Sequence, residues 1–303
     1  SDGSLDADWQ ADADGVVNAL TVEGNSLFVG GAFTVIDGAT RNRLAVIDVT
    51  TGDVTAWSAD ANEEVFALSY SAPALYVGGK FTTIGGQSRN RIAALDAATG
   101  VPTSWDPNAN NTVYAILVSE STVYGGGDFT IIKSLTRNRC AALSAATAIP
   151  TSFSPNCSSS VKSLALNGGT IYLGGAFTTV GGTARNRIAA VNATSGALAT
   201  TWNPNADGTV NSLLVNGTTL HAAGLFKNIG GQARNYLAGV DLTSGLATSW
   251  TPNATAEAKC LAYTSGGIGV GGLFTSVGGV ERNNIAAIDA HSGQATDWKP
   301  NAN

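Results

Sequence analysis

The sequence has no methionine, two histidines and three cysteines, and each scarcity argues against a class of function. The histidines, His221 and His291, lie in no local pattern of a nucleophile with its base or of metal ligands. The cysteines, Cys140, Cys157 and Cys260, are odd in number and lack paired spacing, which argues against a disulfide framework and a zinc site. We therefore expect no catalytic residue, no metal site and no cofactor, and predict that the chain is not an enzyme.

Charged residues are also scarce, at 13% of the 303-residue chain, about half the usual share. The net charge of −6 provides no general attraction to nucleic acid or to an anionic membrane. No apolar run approaches the roughly 18 residues that span a bilayer, so we expect no membrane insertion. Hydrophobic residues make up 44% of the chain, enough for a large core, and a single all-β domain can reach this length.

The main feature of the sequence is an internal repeat. A Gly-x-Phe motif recurs at steps of 48 residues, with one step of 49, and Arg-Asn follows each Phe by eight residues. We expect the Phe residues of the motif to be equivalent and largely buried; they are Phe33, Phe81, Phe129, Phe177, Phe226 and Phe274. A third, aromatic marker occurs seven times, at Trp9, Trp57, Trp105, Phe153, Trp202, Trp250 and Trp298. Six copies of one unit therefore account for nearly the whole chain.

Each repeat contains four short strand-like segments, named a to d here. In the second repeat they are Val65–Tyr70, Leu75–Phe81, Arg91–Asp96 and Pro102–Trp105, separated by Gly-rich or Asp-x-x-Thr-Gly turns. No segment has a sustained 3.6-residue apolar period, so helices should be rare. Four antiparallel strands in about 40–50 residues are typical of a β-propeller blade.

We therefore predict an all-β, six-bladed β-propeller of four-stranded antiparallel blades, forming one domain over residues 1–303. A small residue stands in the middle of every a segment, as expected where blades crowd together. These residues are Ala19, Ala67, Ala115, Ser163, Ser212 and Cys260. We interpret all three cysteines as structural: Cys260 is a small core residue, Cys140 replaces a Leu or Ile, and Cys157 replaces an Ala.

The stretch Gly78–Gly100 resembles the delta-sixty repeat β-propellers, which occur in large bacterial secreted and surface proteins. It reads Gly-Gly-x-Phe-Thr-x-Ile-Gly-Gly-x-x-Arg-Asn-Arg-Ile-Ala-Ala-Leu-Asp-Ala-x-Thr-Gly. The portion Leu95–Trp105 is also similar to the quinoprotein-type propeller repeat. The resemblance extends over nearly the whole chain and implies a propeller outside the cytoplasm, with any signal peptide already removed. It implies little about activity, because propellers have many functions.

The ten arginines all lie in the segment between strands b and c, on the face that also carries the d–a loops. A guanidinium has five donors in a rigid fork, so its repeated use indicates a geometric role as well as a charge. In the structural interpretation each Arg ties loops together. In the alternative, six Arg-Asn pairs bind a carboxylate, sulfate or sugar. The candidate ligand-binding residues are Arg41, Asn42, Arg89, Asn90, Arg137, Asn138, Arg185, Asn186, Arg234, Asn235, Arg282 and Asn283.

Other polar motifs have simpler interpretations. Asp12–Gly15 and Asn203–Gly208 resemble a calcium loop but lack the closing bidentate Glu, so ordinary turns are expected. His221 occupies a position that is Phe or Tyr in four other units and is predicted to be a packed ring. Glycosylation sequons, which matter only if the source organism glycosylates Asn, occur at Asn110, Asn156, Asn192, Asn216 and Asn253.

Three functions remain as hypotheses. The first is a non-enzymatic extracellular scaffold, adhesion or assembly module, whose partners are other copies of itself or neighbouring domains of a larger surface protein. The second is a lectin-like module that binds a carbohydrate or anion on the Arg-Asn face. The third is an enzyme with a site in the central channel, and the regularity of the copies argues against it.

The seventh aromatic marker leaves surplus terminal segments at residues 1–14 and 297–303. Both contain a d-type Trp and compete for one outer-strand position. We expect Ser1–Asp14 to pair with Ala258–Asp289 as a strand clasp that closes the ring, and the C-terminal segment to lead outward. The opposite arrangement, with the C-terminus closing the ring, is the alternative.

Overall fold

A computed structural model of the chain describes Trp9, residues 11–300 and Ala302. Within these residues the fold is all-β and propeller-like, and it contains no helix, as the sequence predicts. The described residues form two compact units, one within Asp6–Ser154 and the other within Pro155–Asn303. The first unit contains the sheets of repeats 1–3 and the second contains those of repeats 4–6.

Every repeat forms one three-stranded antiparallel sheet in the order a-b-c. The a strands are Val17–Glu23 (β1), Val65–Ser71 (β6), Val113–Ser119 (β11), Val161–Asn167 (β16), Val210–Asn216 (β21) and Ala258–Thr264 (β26). The b strands are Ser26–Gly31 (β2), Ala74–Gly79 (β7), Thr122–Gly127 (β12), Thr170–Gly175 (β17), Thr219–Gly224 (β22) and Gly267–Gly272 (β27). The c strands are Leu44–Asp48 (β5), Ile92–Asp96 (β10), Cys140–Ser144 (β15), Ile188–Asn192 (β20), Leu237–Asp241 (β25) and Ile285–Ile288 (β30).

A separate two-stranded hairpin connects strands b and c in every repeat. The hairpins are Val35–Ile36 with Ala39–Thr40 (β3, β4), Thr83–Ile84 with Gln87–Ser88 (β8, β9), Ile131–Ile132 with Leu135–Thr136 (β13, β14), Thr179–Val180 with Thr183–Ala184 (β18, β19), Asn228–Ile229 with Gln232–Ala233 (β23, β24), and Ser276–Val277 with Val280–Glu281 (β28, β29). Glycines take the left-handed conformation at the hairpin turns, as at Gly85 and Gly86, with φ of 55° and 73°.

The predicted d segment does not form a fourth strand ladder. In repeat 2 it meets strand c through a single bridge, Leu95 to Pro102, and the other repeats have the equivalent bridge. Proline has no amide to donate. The amide of Trp105 bonds instead to the Thr103 hydroxyl at 3.2 Å, which turns the chain away from strand c.

Glycines of strand b provide a flat surface for the next repeat within a unit. A Cβ atom on Gly30 would lie 2.6 Å from Val65 Cγ1, and one on Gly78 would lie 2.8 Å from Val113 Cγ1. Real Cβ contacts do not become this short, so the a-strand valine occupies the space that a side chain would take. In the second unit Ala223 stands where Gly174 stands one repeat earlier, and Ala258 replaces the valine. The added methyl is thus matched by a smaller partner in the same core cluster.

Aromatic rings add a second contact between successive repeats of a unit. The Trp57 ring packs edge-on against Phe28 of repeat 1 at 5.8 Å, and its indole N–H donates to the Ala97 carbonyl of repeat 2 at 3.0 Å. Trp105, Trp202 and Trp250 donate to carbonyls one position earlier in the next repeat, those of Ser144, Asp241 and Asp289. The six Gly-x-Phe rings are all 0% exposed, which confirms their predicted burial. Phe81 lies in a cluster that also contains Phe28 and Leu44 of the preceding repeat.

The cysteine prediction is correct at two positions and wrong at the third. Cys140 and Cys157 are buried, and burial raises the pKa of the Cys157 thiol to about 12. Cys260 is exposed, as are most residues of β26.

The predicted N-terminal surplus segment lies largely outside the described residues, and so does its strand clasp. Of 1–14 the structure describes Trp9 and residues 11–14, and there Ala13 bridges to Ile36 of repeat 1. The side chain of Trp9 lies 3.2 Å from the Cβ position of Gly52.

The C-terminal segment is described at residues 297–300 and 302, and the prediction that it leads outward is wrong. It continues the d segment of repeat 6, where Ala295 bridges to Ile288, and Asn284 Nδ2 donates to the Ala302 carbonyl at 3.3 Å.

Replacement of Gly78 and Val113 by alanine tests this packing, because alanine stands at both equivalent positions, Ala223 and Ala258. We expect Gly78→Ala to lower the free energy of unfolding by about 1–3 kcal/mol, because the new methyl overlaps Val113. Val113→Ala alone should also destabilise, through the cavity that it leaves. The double variant should lose less than the sum of the single losses in urea unfolding. Strict additivity would contradict direct packing between these two positions.

Candidate functional site

The first arginine of each Arg-Asn pair fastens the b–c hairpin to the d segment of its own repeat. Arg89 Nη1 donates to the Ser88 carbonyl at 2.8 Å, and Nη2 donates to the Thr103 carbonyl at 2.7 Å. The same two bonds occur in repeats 1, 3, 5 and 6, and in repeat 4 the d-segment acceptors are the carbonyls of Ala199 and Thr200. Each guanidinium thus joins a backbone carbonyl of the hairpin to a backbone carbonyl of the d segment.

One atom of every such guanidinium is left without a partner. The buried Nε has none at Arg41, Arg89, Arg137, Arg185, Arg234 and Arg282. An unpaired buried donor has a cost, so the two Nη bonds must more than offset it. The Nη groups face carbonyls of the protein backbone, as the structural interpretation predicts. The ligand-binding hypothesis for these arginines stays a prediction.

The asparagines of the pairs bond to the d–a loop that follows them. Asn90 Nδ2 donates to Asn108 Oδ1 and Asn186 Nδ2 donates to Asn205 Oδ1, each at 2.8 Å. In repeat 1, the amide and side chain of Asn42 donate to the Asp60 carboxylate. The loop asparagines take left-handed φ angles, 53° at Asn108, which asparagine tolerates better than most residues. The Asn-rich composition of these loops therefore has a conformational reason.

The d–a side chains that resembled calcium ligands cap the hairpin of their own repeat. Asp14 Oδ1 accepts bonds from the amides of Thr34 and Val35, and Asp207 Oδ1 accepts from those of Lys227 and Asn228. The bond from the Thr34 hydroxyl, with these amide bonds, lowers the pKa of Asp14. Across the described residues, no group of three His, Cys, Asp or Glu residues is placed to hold a metal ion.

A second arginine, two residues after the first, holds a strained position that the sequence reasoning missed. Arg43, Arg91, Arg139 and Arg187 have φ angles of 64–67°, and Tyr236 and Asn284 share this conformation. The amide of Arg91 donates to the Phe81 carbonyl, and its own carbonyl accepts from Gly79, so two bonds hold the backbone in place. Non-glycine residues in the left-handed backbone conformation lower the stability of the fold, and they are found disproportionately at functional sites.

A polar cavity of about 560 Å³ lies beside Arg91, where repeats 2 and 3 of the first unit meet. Its lining residues are Asn62, Glu63, Lys80, Thr82, Arg91, Asn111 and Thr112. Lys80 forms an ion pair with Glu64 at 2.9 Å and lies over the Phe66 ring. Arg91 Nη1 donates to the carbonyls of Lys80 and Phe81, at 2.7 and 3.1 Å.

One lining residue of this cavity distinguishes repeat 2 from the other copies. The residue between Gly and Phe in the motif is Lys80 here and Ala, Asp or Leu in the other copies. That single lysine is the signal by which the sequence could have pointed to the cavity. Its two cations and several amide and hydroxyl groups could bind an anion or the hydroxyl groups of a sugar.

His221 is a packed core ring, as the sequence predicts. It is 1% exposed, neither ring nitrogen has a hydrogen-bond partner, and the ring meets Trp250 edge-on at 4.5 Å. Burial lowers the pKa of this imidazole to about 4, so it is neutral near pH 7.

The arrangement defines a class of protein, the β-propellers. The chain is similar to the computationally designed protein Ika8, with a TM-score of 0.57 and 17% identity over 95% of this chain and 90% of that one. It is also similar to the WD40 β-propeller domain of Doa1, with a TM-score of 0.62 and 10% identity over 94% and 82%. At these identities the likeness concerns the fold alone.

In sequence, a family model described as a β-propeller domain of unknown function, DUF5122, matches residues 75–98. The match covers strands b and c of repeat 2 with their hairpin. No curated protein matches the sequence significantly. In the described part of the chain, no helix is long and apolar enough to cross a membrane.

Replacement of His221 by tyrosine, the residue at this position in three other repeats, should change how stability depends on pH. The unfolded chain takes up a proton on this imidazole below its ordinary pKa of 6.5, and the folded chain does so only below about 4. Wild-type stability should therefore fall as the pH falls from 6.5 towards 4, by up to about 3 kcal/mol. His221→Tyr should flatten this slope in urea unfolding between pH 7 and 4.5. A variant of the exposed His291, His291→Asn, should keep it, and an equal slope in all three proteins would contradict the assignment.

Replacement of Arg89 by lysine should show whether the two-donor geometry of the guanidinium or its charge alone stabilises the fold. Lysine keeps the charge but cannot place two donors on the Ser88 and Thr103 carbonyls together. We expect Arg89→Lys and Arg89→Ala to lose similar amounts of unfolding free energy, about 1–3 kcal/mol each, in thermal or urea unfolding. Full retention of stability by the lysine variant would show that charge alone suffices.

Proposed function

We propose that the chain is a non-catalytic β-propeller module that acts as a scaffold, adhesion or assembly unit of a secreted or surface protein. In this proposal the six repeats are the blades of one propeller over residues 1–303, and the d segments are their outer strands. Its partners are neighbouring domains of a larger surface protein or other copies of the chain. The resemblance of Gly78–Gly100 to delta-sixty repeats supports the extracellular location.

The bonding of the loop-face arginines is the observation that carries the proposal. In all six repeats the first arginine uses both Nη groups on backbone carbonyls of its own repeat. Such use stiffens the loop face and leaves it regular from one repeat to the next. An enzyme needs unlike groups brought together at one place, whereas a scaffold needs the same rigid geometry repeated.

The cavity beside Arg91 supports a second candidate, a carbohydrate- or anion-binding module. Its Lys80 breaks the regularity of the Gly-x-Phe motif, and the cavity combines Lys80 and Arg91 with amide and hydroxyl groups beside the Asn-rich loops. Charge-assisted and bidentate bonds from such cations are the usual means of binding carboxylate or sulfate groups. The carbohydrate itself is part of the proposal.

Binding to a panel of sulfated, carboxylated and neutral glycans separates the two functions. The scaffold function predicts that wild type, Arg91→Gln and Arg89→Ala give the same response, with Arg89→Ala reduced only in stability. The glycan-binding function predicts a response in the wild type that Arg91→Gln weakens about tenfold or more. Arg187→Gln is the matched control, because Arg187 has the same backbone conformation in repeat 4. The middle residue of the Gly-x-Phe motif is Ala176 in that repeat, in place of Lys80. A glycan response lost in Arg91→Gln and kept in Arg187→Gln would replace the scaffold proposal.

A further inference from the structure

The tryptophan of the d segment packs less closely in repeat 1 than its counterparts do in repeats 2 to 5. Trp57 is half-buried, whereas Trp105, Trp202 and Trp250 are at most 5% exposed. The centroid of its ring lies 5.8 Å from the ring of strand b, and the corresponding separations in repeats 2 to 5 are 5.1, 5.4, 5.2 and 4.5 Å. Its indole N–H donates to the Ala97 carbonyl, one residue beyond the carbonyl used by the other three tryptophans.

The residue of strand c beneath this ring explains the difference. It is valine in repeat 1, at Val46, and alanine or glycine in the other five repeats, at Ala94, Ala142, Ala190, Gly239 and Ala287. In repeat 5 a Cβ atom on Gly239 would lie 3.1 Å from Trp250 Cβ, so a side chain at this position points at the tryptophan. The separation of the rings follows the size of this residue, from 4.5 Å with glycine, through 5.1–5.4 Å with alanine, to 5.8 Å with valine. The larger side chain of Val46 therefore holds Trp57 away from strand b.

An open cavity of about 550 Å³ lies against Trp57, where the d segment of repeat 1 meets the c–d turn of repeat 2. Both repeats belong to the first unit. Besides the indole, the cavity is lined by Val46, by three alanines and by residues with hydroxyl groups, which are Ser26, Thr55, Ser58 and Thr99. All of its described lining residues are uncharged. The cavity thus combines an aromatic surface with hydroxyl groups.

A second cavity, of about 260 Å³, adjoins the first and shares Ser58 and Thr99 with it. It is lined by Ala59, at a position that is proline in the other five repeats, and by three glycines, which have no side chain to cover their backbone. The Asp60 carboxylate, which accepts bonds from Asn42, also lines it. Repeat 1 therefore departs from the other copies at a residue of each cavity, Val46 in the first and Ala59 in the second.

We propose that the two cavities form one binding site for a neutral saccharide, the Trp57 site, with one sugar ring against Trp57 and the next in the cavity lined by Ala59. A sugar ring presents C–H groups on its faces and hydroxyl groups around its rim. The indole provides an apolar surface for the C–H groups. Serine and threonine hydroxyls both donate and accept the hydrogen bonds that the rim requires.

The lining also argues against other ligands. A wholly apolar ligand would leave the serine and threonine hydroxyls without partners, which has a cost in free energy. A sulfated or carboxylated ligand would meet the Asp60 carboxylate, and the described lining of the two cavities provides no cation to offset that repulsion. A neutral sugar avoids both costs.

The Trp57 site goes beyond the functions proposed above. Among the described residues, it shares no lining residue with the cavity beside Arg91. A scaffold does not require a sugar, so failure of this proposal leaves the scaffold function intact. A response to sulfated glycans that Arg91→Gln removes would come from the other cavity. A response to neutral sugars that Arg91→Gln keeps and Trp57→Ala removes would come from the Trp57 site.

Saturation-transfer NMR with neutral sugars tests the site. The probes are glucose, galactose, mannose, N-acetylglucosamine, maltose, cellobiose and lactose. The wild type should transfer saturation to at least one of them, and Trp57→Ala should abolish that transfer. Val46→Ala should weaken the affinity about tenfold or more, because the indole can then settle onto alanine as Trp105 does on Ala94 and no longer lines the cavity.

A variant on the exposed turn tests the site without any change to the core. Ala98→Leu places apolar bulk in the first cavity and should also weaken binding about tenfold or more. Ala146→Leu is the matched control, because Ala146 is exposed at the equivalent turn position of repeat 3. It should bind as the wild type does, and so should Val123→Ala, which shortens a buried valine of repeat 3 and controls for reduced stability.

Three results would count against the proposal. The site would be overturned if no probe received saturation from the wild type. It would also be overturned if Ala98→Leu and Ala146→Leu bound the sugar equally well. Unchanged binding by Val46→Ala would show that the valine does not create the site.

Discussion

The packing of an a-strand valine on a b-strand glycine is the constraint on which the rest of the structure depends. Without a Cβ at Gly30, Gly78 or Gly174, the next sheet approaches until its valine occupies the empty space. Close approach in turn brings the tryptophan of the d segment onto the ring of strand b, and places its indole N–H on a carbonyl of the next repeat. A side chain at the glycine position would push the sheets apart and loosen both contacts, unless its partner became smaller, as at Ala223 and Ala258.

The arginines supply hydrogen bonds to a different part of each repeat, the d segment. Because this segment turns away after one bridge, the carbonyl of Thr103 has no strand to bond with, and the guanidinium of Arg89 supplies the donor. Since the acceptor is backbone, the solution does not depend on the side chain of the d residue. This explains why the acceptor residue can be a threonine in one repeat and an alanine in another while the arginine is kept in all six. The cost is one unpaired buried Nε in each repeat.

Much of the fold could be predicted from periodicity alone. The spacing of Phe33 and its five counterparts identified buried positions, and the position of His221 among tyrosines identified a packed ring. The three-stranded extent of each sheet could not be predicted, because the d segment has strand-like residues. Its ladder ends through a bond between the Trp105 amide and the Thr103 side chain, which sequence patterns do not reveal. The exposure of Cys260 was missed for a related reason: its neighbours in sequence are those of a buried residue, and burial at such a position depends on a second sheet packed over it.

The candidate site shows the same division. The sequence by itself determined that arginines gather on one face of a repeating β structure, because a 48-residue period places equivalent residues at equivalent places. Only the tertiary structure decided that the first arginine of each pair bonds to carbonyls, and that Arg91 and Lys80 meet at a polar cavity beside repeat 3. Those outcomes depend on distances between segments tens of residues apart along the chain. Such distances follow from how the sheets pack, and no local run of residues specifies them.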